Sequence, residues 1–153
     1  ANKTYHIILN LVWEFLTVKE AKINFESQLE KLEEIIPDVN DYDFFGVVPA
    51  LDACEALGEL LHAIIAGETL EKAIQISQIS LGTVCSLLET QENRDLSETE
   101  LKAREEIEEE LDLQWQIYRL LKDCEKRDVD LILSLRNEIK QEGISNIGIK
   151  IEQ

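Results

Sequence analysis

Asp52, Glu55, Glu59 and His62 recur at spacings of 3, 4 and 3, which on a helix gathers them within roughly 80° of one face. Carboxylates so placed can ligate a divalent cation or orient water, and the imidazole beside them can act as acid or base. Ala56, Ala63 and Ala66 border or interrupt the row, and Leu51, Cys54, Leu57, Leu61, Ile64 and Ile65 fill the opposite arc. A polar stripe this narrow on an apolar helix is either a solvated face or one wall of an acidic cleft. Spacing alone leaves both open.

Two chemistries can be tried on the stripe. Glu59 and His62 form one Glu-x-x-His pair of the kind that builds carboxylate-bridged metal sites in bundles, but such a site needs the pair twice. The only other histidine, His6, has Lys3 three residues before it. The run from Glu55 to Ile64 resembles the first acidic helix of the MazG-like nucleoside triphosphate pyrophosphohydrolases. That resemblance implies magnesium held by acidic residues of two neighbouring helices, gripping a phosphate and orienting water. This chain departs from the pattern twice. Glu55-Ala56 stands where adjacent glutamates are usual, and Ser77, Ser80 and Thr83 occupy the following helix where a Glu-x-x-Asp pair is required. On this alternative reading the chain is a magnesium-dependent nucleotide phosphohydrolase. Asp52, Glu55 and Glu59 are its ligands or water-orienting groups, His62 is its acid or base, and Glu14, Glu108 or Asp112 comes from a facing helix. No Gly-rich phosphate loop, Ser-centred elbow or catalytic Cys/His spacing accompanies the stripe. No catalytic residue, metal ligand or cofactor is therefore assigned, and binding is the leading reading over catalysis.

The elements that must carry these residues are helices. No proline follows Pro49, and no glycine interrupts Thr83 to Glu142; in a chain rich in Leu, Ile, Glu, Lys and Gln, punctuation this sparse predicts packed helices. The periodicity gives helices over about 3–16, 21–36, 49–67 and 69–90, with Pro37 ending the second, Pro49 starting the third and Gly67 ending it. Tyr42, Phe44 and Phe45 sit in a loop, placed to plug back onto the bundle. Ala73 to Leu88 carries no charge and reads as the most buried helix. Ser97 and Glu100 have capping-box spacing for a further helix reaching about Glu142. Trp115 and Tyr118 give it a large apolar face, with core packing as the expected use of the tryptophan. A turn at 124–128 would divide it, the second part packing through Val129, Ile132, Leu135 and Ile139 and stopping at Gly143. Ile147, Ile149 and Ile151 then alternate as in an extended arm. The expectation is all-α: one domain over 1–153, a compact bundle of five or six helices with a short extended C-terminal arm.

With 32 acidic against 15 basic residues the formal charge is -17. Such a field repels nucleic acid and anionic membrane and attracts a cation or a basic protein surface. Cys54, Cys85 and Cys124 are odd in number and form no zinc-like cluster, which favours free thiols in a reducing, cytoplasmic compartment. The uncharged run is too polar for a membrane span. The apolar first helix and the isoleucine arm predict a homodimer with one of them at its interface.

Four segments carry a wider resemblance. They are Leu11-Val12-Trp13-Glu14 on to Glu30, Pro49-Ala50-Leu51-Asp52-Ala53-Cys54 on to Glu71, Gln114-Trp115-Gln116-Ile117-Tyr118-Arg119-Leu120-Leu121, and Ser145-Asn146-Ile147-Gly148-Ile149. In order they span nearly the whole chain, which resembles the YjaG-like family, domain of unknown function family 416. The resemblance implies a mostly helical bacterial cytosolic protein, with longer relatives carrying further helical sequence ahead of Ala1. It supplies no catalytic residue or cofactor.

Overall fold

A computed structural model describes residues 2–41, 46–143 and 145–148. The described residues form seven α-helices and no strand, so the fold is all-α. The helices are α1 (Asn2–Thr17), α2 (Phe25–Glu33), α3 (Val47–Ala66), α4 (Thr69–Glu92), α5 (Glu98–Lys102), α6 (Glu105–Leu121) and α7 (Val129–Glu142). The chain divides within α4 into two compact units, Ala1–Ile79 and Ser80–Gln153.

The first unit is built where the apolar stripes of α1, α2 and α3 meet. Ile8 and Val12 from α1, Phe25 and Leu32 from α2, and Cys54, Leu57 and Leu61 from α3 form one buried cluster. α2 is shorter than its periodicity predicts. The Asn24 side chain accepts from Ser27 N at 3.1 Å and so caps the helix four residues later than Ala21. Its end comes before Ile35 and Ile36 because Pro37 disfavours helical backbone at the residue ahead of it. Pro49 lies in the first turn of α3, and Gly67 closes the helix at φ 73°, a left-handed conformation that glycine adopts without strain.

The second core gathers Val84, Leu88, Leu96 and Ile107, with Ile147 packed partly buried against it. α4 is not the most buried helix: Leu70 and Ile74 are exposed, and only Thr83, Val84 and Leu88 are buried. Glutamine and serine hydrate without charge, so the uncharged run has no need of a core on every side.

The Ser97–Glu100 capping box is present, but the helix it opens stops after five residues. Arg104 takes extended backbone, φ -91° and ψ 136°, and begins α6; its guanidinium pairs with Glu92 of α4. This break, which neither glycine nor proline marks, supplies the helix beyond the expected six. It lets Leu96, Leu101 and Ile107 meet at one core. Arg94 and the Ser97 cap hold the Glu100 carboxyl down at about 2, so the cap keeps its charge through ordinary acid pH.

α7 starts at an Asp128 cap and ends at Gly143, φ 62°, as predicted. None of its residues is fully buried, and Ile139 is exposed. Trp115 and Tyr118 are also not core residues, standing 54% and 57% exposed. The second core engages only the N-terminal half of α6, where Ile107 and Glu110 are buried, and leaves the aromatics beyond it. The expected plug of Tyr42, Phe44 and Phe45, and Ile149 and Ile151 of the arm, lie outside the described residues.

Candidate functional site

All four stripe residues lie on α3, as their spacing requires, but they do not share one environment. Glu55 and His62 are exposed, and Asp52 and Glu59 are partly buried. Glu59 is paired with the ammonium of Lys72 on α4. The hydrogen bond to Glu59 is the main cause that raises the Lys72 pKa above its ordinary value, so the ammonium is held in its charged form. Lys72 thus neutralises the last of the three carboxylates of the stripe, the one nearest His62. Among the described residues no group of three or more His, Cys, Asp or Glu side chains converges as a metal ion would need. Glu14, a candidate for the facing acid, is exposed on α1, and Glu108 and Asp112 are exposed on α6 in the second unit.

A different carboxylate has the more unusual setting. Glu110 on α6 is only 5% exposed. Its Oε1 accepts from Ser80 Oγ at 2.6 Å and from Gln114 Nε2 at 2.8 Å. Asn146 Nδ2 donates in turn to Ser80 Oγ at 3.0 Å. One hydrogen-bonded chain therefore ties α4, α6 and the segment after α7 to a single buried acid. Glu105 to Glu110 contains five glutamates, and such a run ordinarily reads as a solvated face. The usable signal is periodic: Ile107, Glu110 and Gln114, at spacings of 3 and 4, point the same way.

Beyond Glu110, α6 changes character. Trp115 and Tyr118 meet edge to face with centroids 5.6 Å apart, and Arg119 lies 6.0 Å from the indole centroid. With Leu111 and Gln114 the two rings line a shallow hollow of about 270 Å³.

Two of the three thiols are held away from their reactive form, and Cys124 is exposed. All three cysteines are free, and burial pushes the Cys54 and Cys85 thiols up, away from the thiolate form. Among the described residues no helix is long and apolar enough to cross a membrane.

A helical chain with two small cores, an acidic α6 and no assembled metal cluster among its described residues defines a structural class before it defines an activity. The chain belongs to the DUF416 family, described as a protein of unknown function, whose model matches residues 1–150. An uncharacterized protein of Haemophilus influenzae is 74% identical over 151 residues, covering 99% of this chain and 77% of that one. The uncharacterized protein YjaG of Escherichia coli is 53% identical over 149 residues, 97% of this chain and 76% of its own length. The crystal structure of a DUF416 family protein from Shewanella baltica superposes with a TM-score of 0.89 at 33% identity, covering 98% of this chain and 78% of that one.

Proposed function

We propose that this chain is a non-enzymatic, acidic protein-interaction module of the bacterial cytoplasm, and that its partner presents a basic surface. The observation that supports this most is the division of α6. Glu105, Glu106, Glu108, Glu109 and Asp112 are exposed in its first half, and Trp115, Tyr118 and Leu120 are about half exposed in its second. Acidic groups steer a basic partner to the helix, and the adjacent aromatics supply the desolvated anchor that charge alone lacks. Nucleic acid and anionic membrane are disfavoured by the -17 charge. Free cysteines with raised thiols fit a reducing compartment. The magnesium-dependent hydrolase gains nothing from the stripe, since Lys72 already occupies Glu59.

Capture from bacterial lysate at low and high salt tests the reading. Partners held through α6 are expected at low salt and lost as screening rises, because exposed charges more than roughly 8 Å apart cease to feel one another at physiological ionic strength. Recovery of no partner at either salt removes the support.

The face of Leu111, Trp115 and Tyr118 is the surface we propose for self-association. Ile8 and Val12 of α1, and Ile147 of the arm, pack within their own chain. Light scattering at micromolar concentration should give twice the 17.6 kDa chain mass, falling to the single mass when Trp115 is changed to Ser. A single mass for the unaltered chain rejects the dimer.

A further inference from the structure

The second atom of the Glu110 carboxyl has no counterpart. Oε1 takes two donors, yet Oε2 is buried with no hydrogen-bond partner. A buried polar oxygen left unpaired is costly, and a charged one more so. Glu110 lines a cavity of about 700 Å³ within the second unit. The same cavity is lined by Glu106, Glu109, Asp112 and Glu142, and among the described residues by no Lys or Arg. Leu87, Leu113 and Ile147 supply apolar wall.

These observations define a ligand by its chemistry. The direction of the hydrogen-bonded chain, Asn146 to Ser80 to Glu110, commits the Ser80 proton to Oε1. The hydroxyl therefore has no proton left for Oε2. What Oε2 needs is a donor, and four further carboxylates around the cavity make a cationic donor the better one. A bare metal ion would need converging ligands, and the described residues supply no such group. An organic cation needs only one or two good acceptors together with wall for its methylenes.

We propose that this cavity receives an ammonium or guanidinium group on an aliphatic stem, with Glu110 Oε2 as its buried acceptor and the exposed Glu106 and Glu109 as its electrostatic rim. The cation is a basic side chain of a partner protein or a free alkylamine. In the first form the assignment rests on the reading of the chain as a receptor for basic surfaces; in the second it stands without it.

Calorimetric titration of the full chain with two probes separates these sources. One probe is agmatine, a free guanidinium-butylamine. The other is a neutral, end-blocked peptide carrying one arginine, with its citrulline counterpart as control. Binding of either cation, at least tenfold weaker in Glu110→Gln and unchanged in Glu55→Gln, supports the site and names its source. Circular dichroism checks that Glu110→Gln remains helical. Glu106→Gln and Glu109→Gln change exposed positions only, so they preserve the fold and should each weaken binding about threefold by removing a rim charge. Absence of binding by both cations, or binding that ignores all three substitutions, overturns the cavity assignment. Either of those results leaves salt-sensitive capture of a basic protein as a separate question.

Discussion

Replacing Leu61 by alanine is expected to lower the free energy of unfolding by about 3 kcal/mol. Leu61 is fully buried on α3, within the cluster that Ile8 and Val12 bring from α1 and Phe25 and Leu32 bring from α2. Truncation removes the transfer free energy of the lost carbons and leaves a cavity between helices that can close only in part. Glu55→Ala, on the exposed arc of the same helix, should move stability by no more than about 0.5 kcal/mol. Urea denaturation followed by far-UV circular dichroism measures both. A Leu61→Ala loss below about 1 kcal/mol would mean that the first core is not sealed where these residues place it.

That core was largely legible in the sequence. Leu57 and Leu61 on α3, and Phe25 and Leu32 on α2, follow the helical period, and local chemistry fixes several ends. Gly67 and Gly143 both close helices in left-handed conformation, and Asp128 caps α7 by accepting from Leu131 N at 3.0 Å. Less legible was anything settled by contact between distant residues. The break at Ala103 and Arg104 carries no glycine or proline; its local geometry is accompanied by the Arg104–Glu92 pair and by the shared burial of Leu96 and Ile107. Burial of α4 was misjudged because absence of charge is not presence of apolar surface.

The candidate site divides the same way. Spacing placed Asp52, Glu55, Glu59 and His62 on one helix. It could not show that Lys72, thirteen residues from Glu59, would neutralise one of its three carboxylates. The Glu110 network joins Ser80, Gln114 and Asn146, spread over 66 residues of chain, so only folding brings it together. Trp115 was expected inside because large aromatics usually are; its exposure follows from where the second core stops along α6.

The functional account depends on position as well as on total charge, and a pair of matched charge reversals separates the two. Glu108, Glu109 and Asp112 are exposed within about 100° of the α6 surface; Glu108 lies in the first turn of α6 as Glu26 does in that of α2, so each triple substitution takes one carboxylate from a helix N-terminus. Glu26, Glu30 and Glu33 are exposed on α2 and serve as the control. Each triple substitution changes the net charge by the same amount. Opposite charges in contact are worth about 1 kcal/mol in water, and three contacts turned from attraction to repulsion therefore cost several kcal/mol. Fluorescence anisotropy with a labelled peptide rich in lysine, arginine and leucine, at low salt, is the most direct test. Reversal on α6 should weaken binding by at least about a hundredfold, and reversal on α2 by less than about tenfold. Equal losses from the two variants, or no loss from the α6 variant, would contradict an interaction site on α6.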